Sequence, residues 1–221
     1  MWKYGIYKNL SPDIKSLSSQ YTLKMRMEQK EVNELKNLYP LLKQDDEQTK
    51  KEIINGDWRS RLAGRGMNQY SYSKFVRALG YSCISSLNHP LWLLAQDKRL
   101  FIKSPGKIIR KLPIHIQKHL VIGQIRKDAT FKDLRHIAKQ SYKQQRKFFY
   151  NLHDIDGYTA LIITTLIQRI IWKTDSTTNS ESLANDLFHE LFIERFPLKK
   201  QNVLAYKIVL FLNQNLNDQT S

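Results

Sequence analysis

Phosphate is the group this sequence is best equipped to meet. Between Lys98 and Lys147 stand fifteen Lys or Arg and only two acids, Asp128 and Asp133, a net +13 out of the chain's +16. Cations held this close repel one another in the free protein, and a polyanion relieves that repulsion while releasing its condensed counterions. Within the stretch, Lys132, Arg135, Lys139, Lys143, Arg146 and Lys147 recur mostly at three- and four-residue steps. On one α-helix all six fall within roughly 60° of a single direction. Phe131, Leu134, Ile137, Ala138, Phe148, Phe149 and Leu152 centre on the opposite side. A solvated surface helix usually mixes the two signs to gain i,i+4 ion pairs. Here only Asp133 does so, which points to a cationic rail for phosphates.

Three other groups carry possible binding chemistry. Arg59, Arg61 and Arg65 surround Gly64 and Gly66, with Trp58 and Tyr70 at either side. Glycine admits close backbone approach, and interleaved Arg and aromatics could grip phosphates and stack on bases. A solvated loop with ordinary turn glycines fits equally well. The segment is not a P-loop, because the GxxxxGK[ST] order is absent. Lys103, Lys107, Arg110 and Lys111 flank Ser104-Pro105-Gly106. That turn signal between apolar 100–102 and 108–109 predicts a short basic β-hairpin, with two helices and a loop fitting almost as well.

Residues 71–89 resemble a helix-turn-helix. Phe75, Val76 and Leu79 pack, Gly80 turns, Ser82 caps, and Ser85 and Asn88 are short polar side chains of the kind that reach base edges from a recognition helix. The likeness covers about twenty residues. The usual downstream apolar positions fall on Ser86 and His89, and Pro90 truncates the second helix, so a simple helical hairpin in the core competes with it.

The histidines and the cysteine offer less. His115 and His119 at i,i+4 could share a divalent ion, but the HExxH order is missing and a catalytic zinc needs a third protein ligand. Surface or phosphate-facing roles suit them better. Cys83 is the single cysteine, so no internal disulfide forms, and it falls in a packed hairpin unsuited to a nucleophile. His153-Asp154-Ile155 resembles the HD dyad of the HD phosphohydrolases, all-α metal enzymes with a separate upstream His and downstream Asp. That resemblance would make His119 or His136 the upstream ligand and Asp175 or Asp218 the downstream one. Asp156-Gly157 follows the dyad where Gly and a basic residue are often seen.

The elements that must hold these residues are helical. Ser11-Pro12-Asp13 reads as an N-cap with proline at the first position, and Ile14, Leu17, Tyr21, Met25, Val32 and Leu35 continue the period until Pro40. A composition shift over 43–57 marks a linker or hinge. Thr130 and Asp133 resemble a capping box, predicting one continuous helix over 130–152. A short helix is expected over 114–121, a core helix over 158–172, a polar loop over 176–180, and helices over 181–196 and 199–216.

A hydrophobic fraction of 41 % supports a globular chain. The fold expected is all-α, with a helix-turn-helix-like hairpin and one short basic β-hairpin. The segments are 1–56, an N-terminal helical piece, and 57–221, a basic core, or one continuous domain. The N-terminal residues lack a signal-peptide apolar region and no stretch is long and apolar enough to span a membrane, so a soluble cytoplasmic protein is expected. The function read from the residues is non-enzymatic nucleic-acid binding, DNA slightly ahead of RNA, with no cofactor and no metal, alone or beside other protein subunits. The alternative is a subunit docking an acidic protein through the same face, and a metal phosphohydrolase is the minor one.

Overall fold

The computed structural model describes residues 5–38, 57–63, 65–80, 82–96, 98–139, 143–172 and 177–212. The fold is all-α, 74 % helical. Among the described residues the nearest thing to a sheet is one isolated antiparallel bridge, Val121 with Ala138. The helices are α1 (Pro12–Gln29), α2 (Leu35–Leu38), α3 (Asp57–Leu62), α4 (Gln69–Leu79), α5 (Cys83–Leu87), α6 (Pro90–Gln96), α7 (Lys98–Lys103), α8 (Pro105–Ile109), α9 (Ile114–Leu120), α10 (Phe131–Ile137), α11 (Lys143–Tyr150), α12 (Ile155–Ile167), α13 (Thr177–His189) and α14 (Gln201–Leu212). The chain gathers into two compact units, Met1–Trp92 with Phe196–Leu204, and Leu93–Arg195 with Ala205–Ser221. The linker expected over 43–57 falls almost wholly outside the described residues, and α3, which follows it, packs on α1 in the first unit.

The first unit is built on α1, whose middle is buried even at its polar positions. Ser18 Oγ donates to the Leu87 carbonyl at 2.9 Å and Thr22 Oγ1 to Ser86 Oγ at 3.2 Å. Gln20 Nε2 donates to Ser16 Oγ at 2.9 Å, and its Oε1 accepts from the Lys199 amide at 2.8 Å. Each bond offsets the desolvation that burying a hydroxyl or amide would otherwise cost. Tyr21 meets Trp92 and Phe196 edge-on, at 6.0 and 5.2 Å between centroids. The helix ends eleven residues before Pro40: Glu31 turns left-handed at φ 55° and the Val32 amide bonds back to Met27. The apolar pattern crosses that break because Leu38 is buried from the separate turn α2.

The second unit is built on α12. From Gly157 to Ile167 every residue is buried, Thr159, Thr164 and Thr165 included. Tyr158 clusters with Phe188 and Phe192 of the helix that packs against it, at 5.9 and 5.5 Å. Both long helices here loosen into π-turns, Gln168–Trp172 and Glu190–Arg195. At the first of these Arg169 pairs with Glu181 at 2.5 Å and donates to the Leu212 carbonyl. The polar loop expected over 176–180 is instead the first turn of α13 from Thr177 onward.

Two expectations for the basic stretch are overturned. Residues 98–111 are not a β-hairpin: Pro105 stands in the first turn of α8 and starts it, and Phe101 of α7 and Ile108 and Ile109 of α8 are fully buried. Burial decided against the strand preference of Ile and Phe. The continuous helix over 130–152 is also broken. Its start is as expected, with the Thr130 side chain accepting from the Asp133 amide at 3.2 Å and the Thr130 amide donating to Asp133 at 2.8 Å. Its end comes at Ile137, because Ala138 turns extended (φ −67°, ψ 132°) to pair with Val121.

Candidate nucleic-acid interface

The cations of the rail are therefore carried by several short elements of the second unit. Lys132 and Arg135 project from α10, Lys139 from the bridge, and Lys143, Arg146 and Lys147 from α11. Lys103, Lys107, Arg110 and Lys111 lie on α7, on α8 and just beyond it. All of these are exposed except Arg146, which is half-buried, and Lys118, Arg126 and Lys127 add to the exposed set. Among the described residues one ion pair reaches this set, Arg126 to Asp133 at 3.7 Å. Asp133 is held below the usual carboxylate range, first by the Thr130 amide and hydroxyl and then by Arg126 and His136. Asp133 thus serves as the cap of α10, and Asp128, the other acid of the stretch, stands exposed among thirteen more cations than acids.

Backbone contacts hold these short helices together. The Ile122 amide donates to Ile137 at 2.7 Å and the Lys139 amide to Leu120 at 3.0 Å, locking α9 to the end of α10. Lys139 Nζ donates to the Lys118 carbonyl at 2.7 Å, so this lysine also caps the C-terminal end of α9, where the helix dipole favours a cation. On the other side, α8 rests on the turn before α10. A Cβ on Gly106 would land on the Arg126 carbonyl oxygen, and Phe101 meets Phe131 edge-on at 6.3 Å. The contact that sequence reading missed is His119 on Phe148, with ring centroids 4.3 Å apart, which joins α9 to α11. The i,i+4 histidine pair had singled out the residue, but its aromatic partner lies twenty-nine positions away.

The first unit uses much of its candidate chemistry internally. Arg61 donates to the Gly66 carbonyl at 2.5 Å and braces its own loop, while Arg59 and Arg65 are exposed. Gly66 is needed where the loop touches α1, since a Cβ there would sit 2.9 Å from Lys15 Cβ. Gly80 does turn left-handed, at φ 87°, between α4 and α5. Asn88, however, is half-buried and fully engaged: it accepts from the Tyr7 amide at 2.9 Å and donates to Tyr72 Oη at 2.9 Å and to the Ile84 carbonyl at 3.1 Å. Ser85 is exposed, with its hydroxyl on the Ser82 carbonyl at 2.9 Å. Asn88→Ala removes bonds to both tyrosines, so a loss of about 1–3 kcal/mol is expected. Urea denaturation checks it, and a variant as stable as the parent would show that Asn88 does not knit these segments.

The dyad and the thiol are likewise structural in their contacts. Asp154 caps α12, accepting from the Gly157 amide at 2.8 Å, and His153 sits left-handed at φ 46° with Nδ1 2.8 Å from Glu190. Asp175 and Asp218 lie outside the described residues. Among the described residues no three His, Cys, Asp or Glu side chains gather where they could hold a metal ion. Burial pushes the Cys83 thiol up to about 12, against the smaller pull of Arg26. Among the same residues no helix is long and apolar enough to cross a membrane.

No protein-family model, curated protein or solved structure matches this chain.

Proposed function

We propose that this chain binds nucleic acid through its phosphate backbone, using the cations of Lys103 to Lys147, and performs no reaction on it. The observation that carries this reading is the exposed, single-sign set on helices of one compact unit. Lys103, Lys107, Arg110, Lys111, Lys132, Arg135, Lys143 and Lys147 all stand exposed, and Asp133, one of the two acids of the stretch, serves as a helix cap. Such a surface displaces counterions from any polyphosphate chain. Asn88, the side chain of the helix-turn-helix-like hairpin best suited to reading adenine, is engaged by Tyr7 and Tyr72. Phosphate contacts carry no sequence information, so the proposal covers DNA and RNA alike.

Fluorescence anisotropy with labelled duplex DNA, single-stranded DNA and RNA between 50 and 200 mM salt, about the range over which counterion release dominates, tests this. The expected result is a log-affinity that falls linearly with log salt, by about 0.9 for each phosphate contacted on duplex DNA, with scrambled sequences binding alike. Absence of binding at the low-salt end, or affinity indifferent to salt, would overturn the reading.

A further inference from the structure

His119 stands where the cationic elements of the second unit converge. It lies on α9, stacked on Phe148 of α11 at 4.3 Å and edge-on to Phe149 at 6.1 Å. Beside it, Lys139 reaches from the bridge to the Lys118 carbonyl at 2.7 Å, and His115 lies one turn back on the same helix. The aromatic stack holds the imidazole in place, and the ring is half-buried rather than enclosed.

We propose that His119 is a further phosphate-binding residue of this interface, one that takes up a proton from solvent as a phosphate docks beside it and Lys139. The inference rests on the reading of this surface as a phosphate site. In the free protein three things disfavour the protonated imidazole: its burial first, then the ammonium of Lys139, then His115, which together lower its pKa. The two charges that lower it are both cationic. From α11 the neighbouring charges are Lys143, Arg146 and Lys147, and α12, which also packs on α9, carries Asp156 as its one ionisable acid. A phosphate placed against Lys139 reverses the sign of the local potential, so the protonated ring, disfavoured before, becomes the better partner. Binding and proton uptake are then linked. Affinity rises as pH falls through the range between the free and bound midpoints, by up to about tenfold per pH unit for one proton taken up.

The test measures the affinity of a labelled mixed-sequence 20-nucleotide DNA, single-stranded and duplex, from about pH 5.5 to 7.5 at fixed salt, spanning the ordinary histidine value. Wild-type protein is expected to bind more tightly at the acid end. His119→Phe, which keeps a ring against Phe148, is expected to match wild type at the alkaline end and to lose most of the pH slope. His115→Gln and His136→Gln should keep it. A slope unchanged in His119→Phe overturns the proposal. Should that variant not fold, the Cε1 proton of His119 in the wild-type NMR spectrum decides the matter. Its midpoint is expected below the usual histidine value in the free protein and raised by saturating oligonucleotide, and a midpoint that stays put overturns the assignment. Wild-type protein that binds no oligonucleotide at any pH rejects the interface and this residue's role together. Binding with an unmoved His119 midpoint rejects only the latter.

Discussion

The combined variant Lys132→Ala, Arg135→Ala, Lys143→Ala, Arg146→Gln and Lys147→Ala is expected to weaken binding to every nucleic acid by several orders of magnitude at low salt. Each phosphate contact contributes about 0.9 to the salt slope, and 50 mM lies about 1.3 log units below the 1 M reference, so each is worth roughly tenfold there. The slope itself should fall by about four or five if all five residues touch phosphate. Lys139 is left in place because its ammonium also caps α9 through the Lys118 carbonyl. Glutamine replaces Arg146 because that residue is half-buried. The fold should be as stable as before or slightly more so, since exposed lysines add little and their mutual repulsion is removed. Anisotropy across a salt series, with circular dichroism and melting as controls, measures both. Unchanged affinity and slope for DNA and RNA in a well-folded variant would assign the charge to an acidic protein partner instead. A pull-down that survives nuclease treatment would identify that partner.

The second large effect is on stability. Gly157 stands in the first turn of α12, its amide on the Asp154 cap, and the end of α11 rests directly on it. A Cβ there would land on the Phe149 carbonyl oxygen and lie 3.0 Å from Leu152 Cβ. Neither the carbonyl nor the Leu152 Cβ is the far end of a flexible side chain, so the two helices must separate. Overpacking of this kind costs about 1–3 kcal/mol, and more where backbone has to move. Gly157→Ala should fall in or above that range, and it should weaken nucleic-acid binding too, because α11 carries Lys143, Arg146 and Lys147. Gly123→Ala serves as the comparison. It has open space around it and only its left-handed φ of 71° to resist the change, which costs about 1–2 kcal/mol. Denaturant titration distinguishes them, and a Gly157→Ala protein no less stable than Gly123→Ala would mean that α11 is not seated on α12 through this turn.

What could be read from the residues alone was whatever acts within one or two turns of chain. The start of α1 at Pro12, the box between Thr130 and Asp133, the left-handed Gly80 and the all-round apolar α12 each depend on neighbours three or four positions away. The all-α class followed from such periods, and the concentration of charge before Lys147 needed only counting. Asp154 caps α12 by the same local rule, its carboxylate accepting from the Gly157 amide three positions on.

Tertiary structure decided the rest, through partners far away in sequence. The rail broke because Ala138 found Val121 and exchanged a helical turn for a bridge. The basic β-hairpin became α7 and α8 because burying Phe101, Ile108 and Ile109 outweighed their strand preference, with Gly106 making room for the turn at Arg126. Asn88 was engaged by Tyr7, eighty-one residues earlier. His119 gained its place in the cationic surface only when α11 brought Phe148 against it. Periodicity specifies which face of an element is apolar, whereas the partner that covers it is chosen by packing across the whole chain, and a side chain's chemistry follows from that choice.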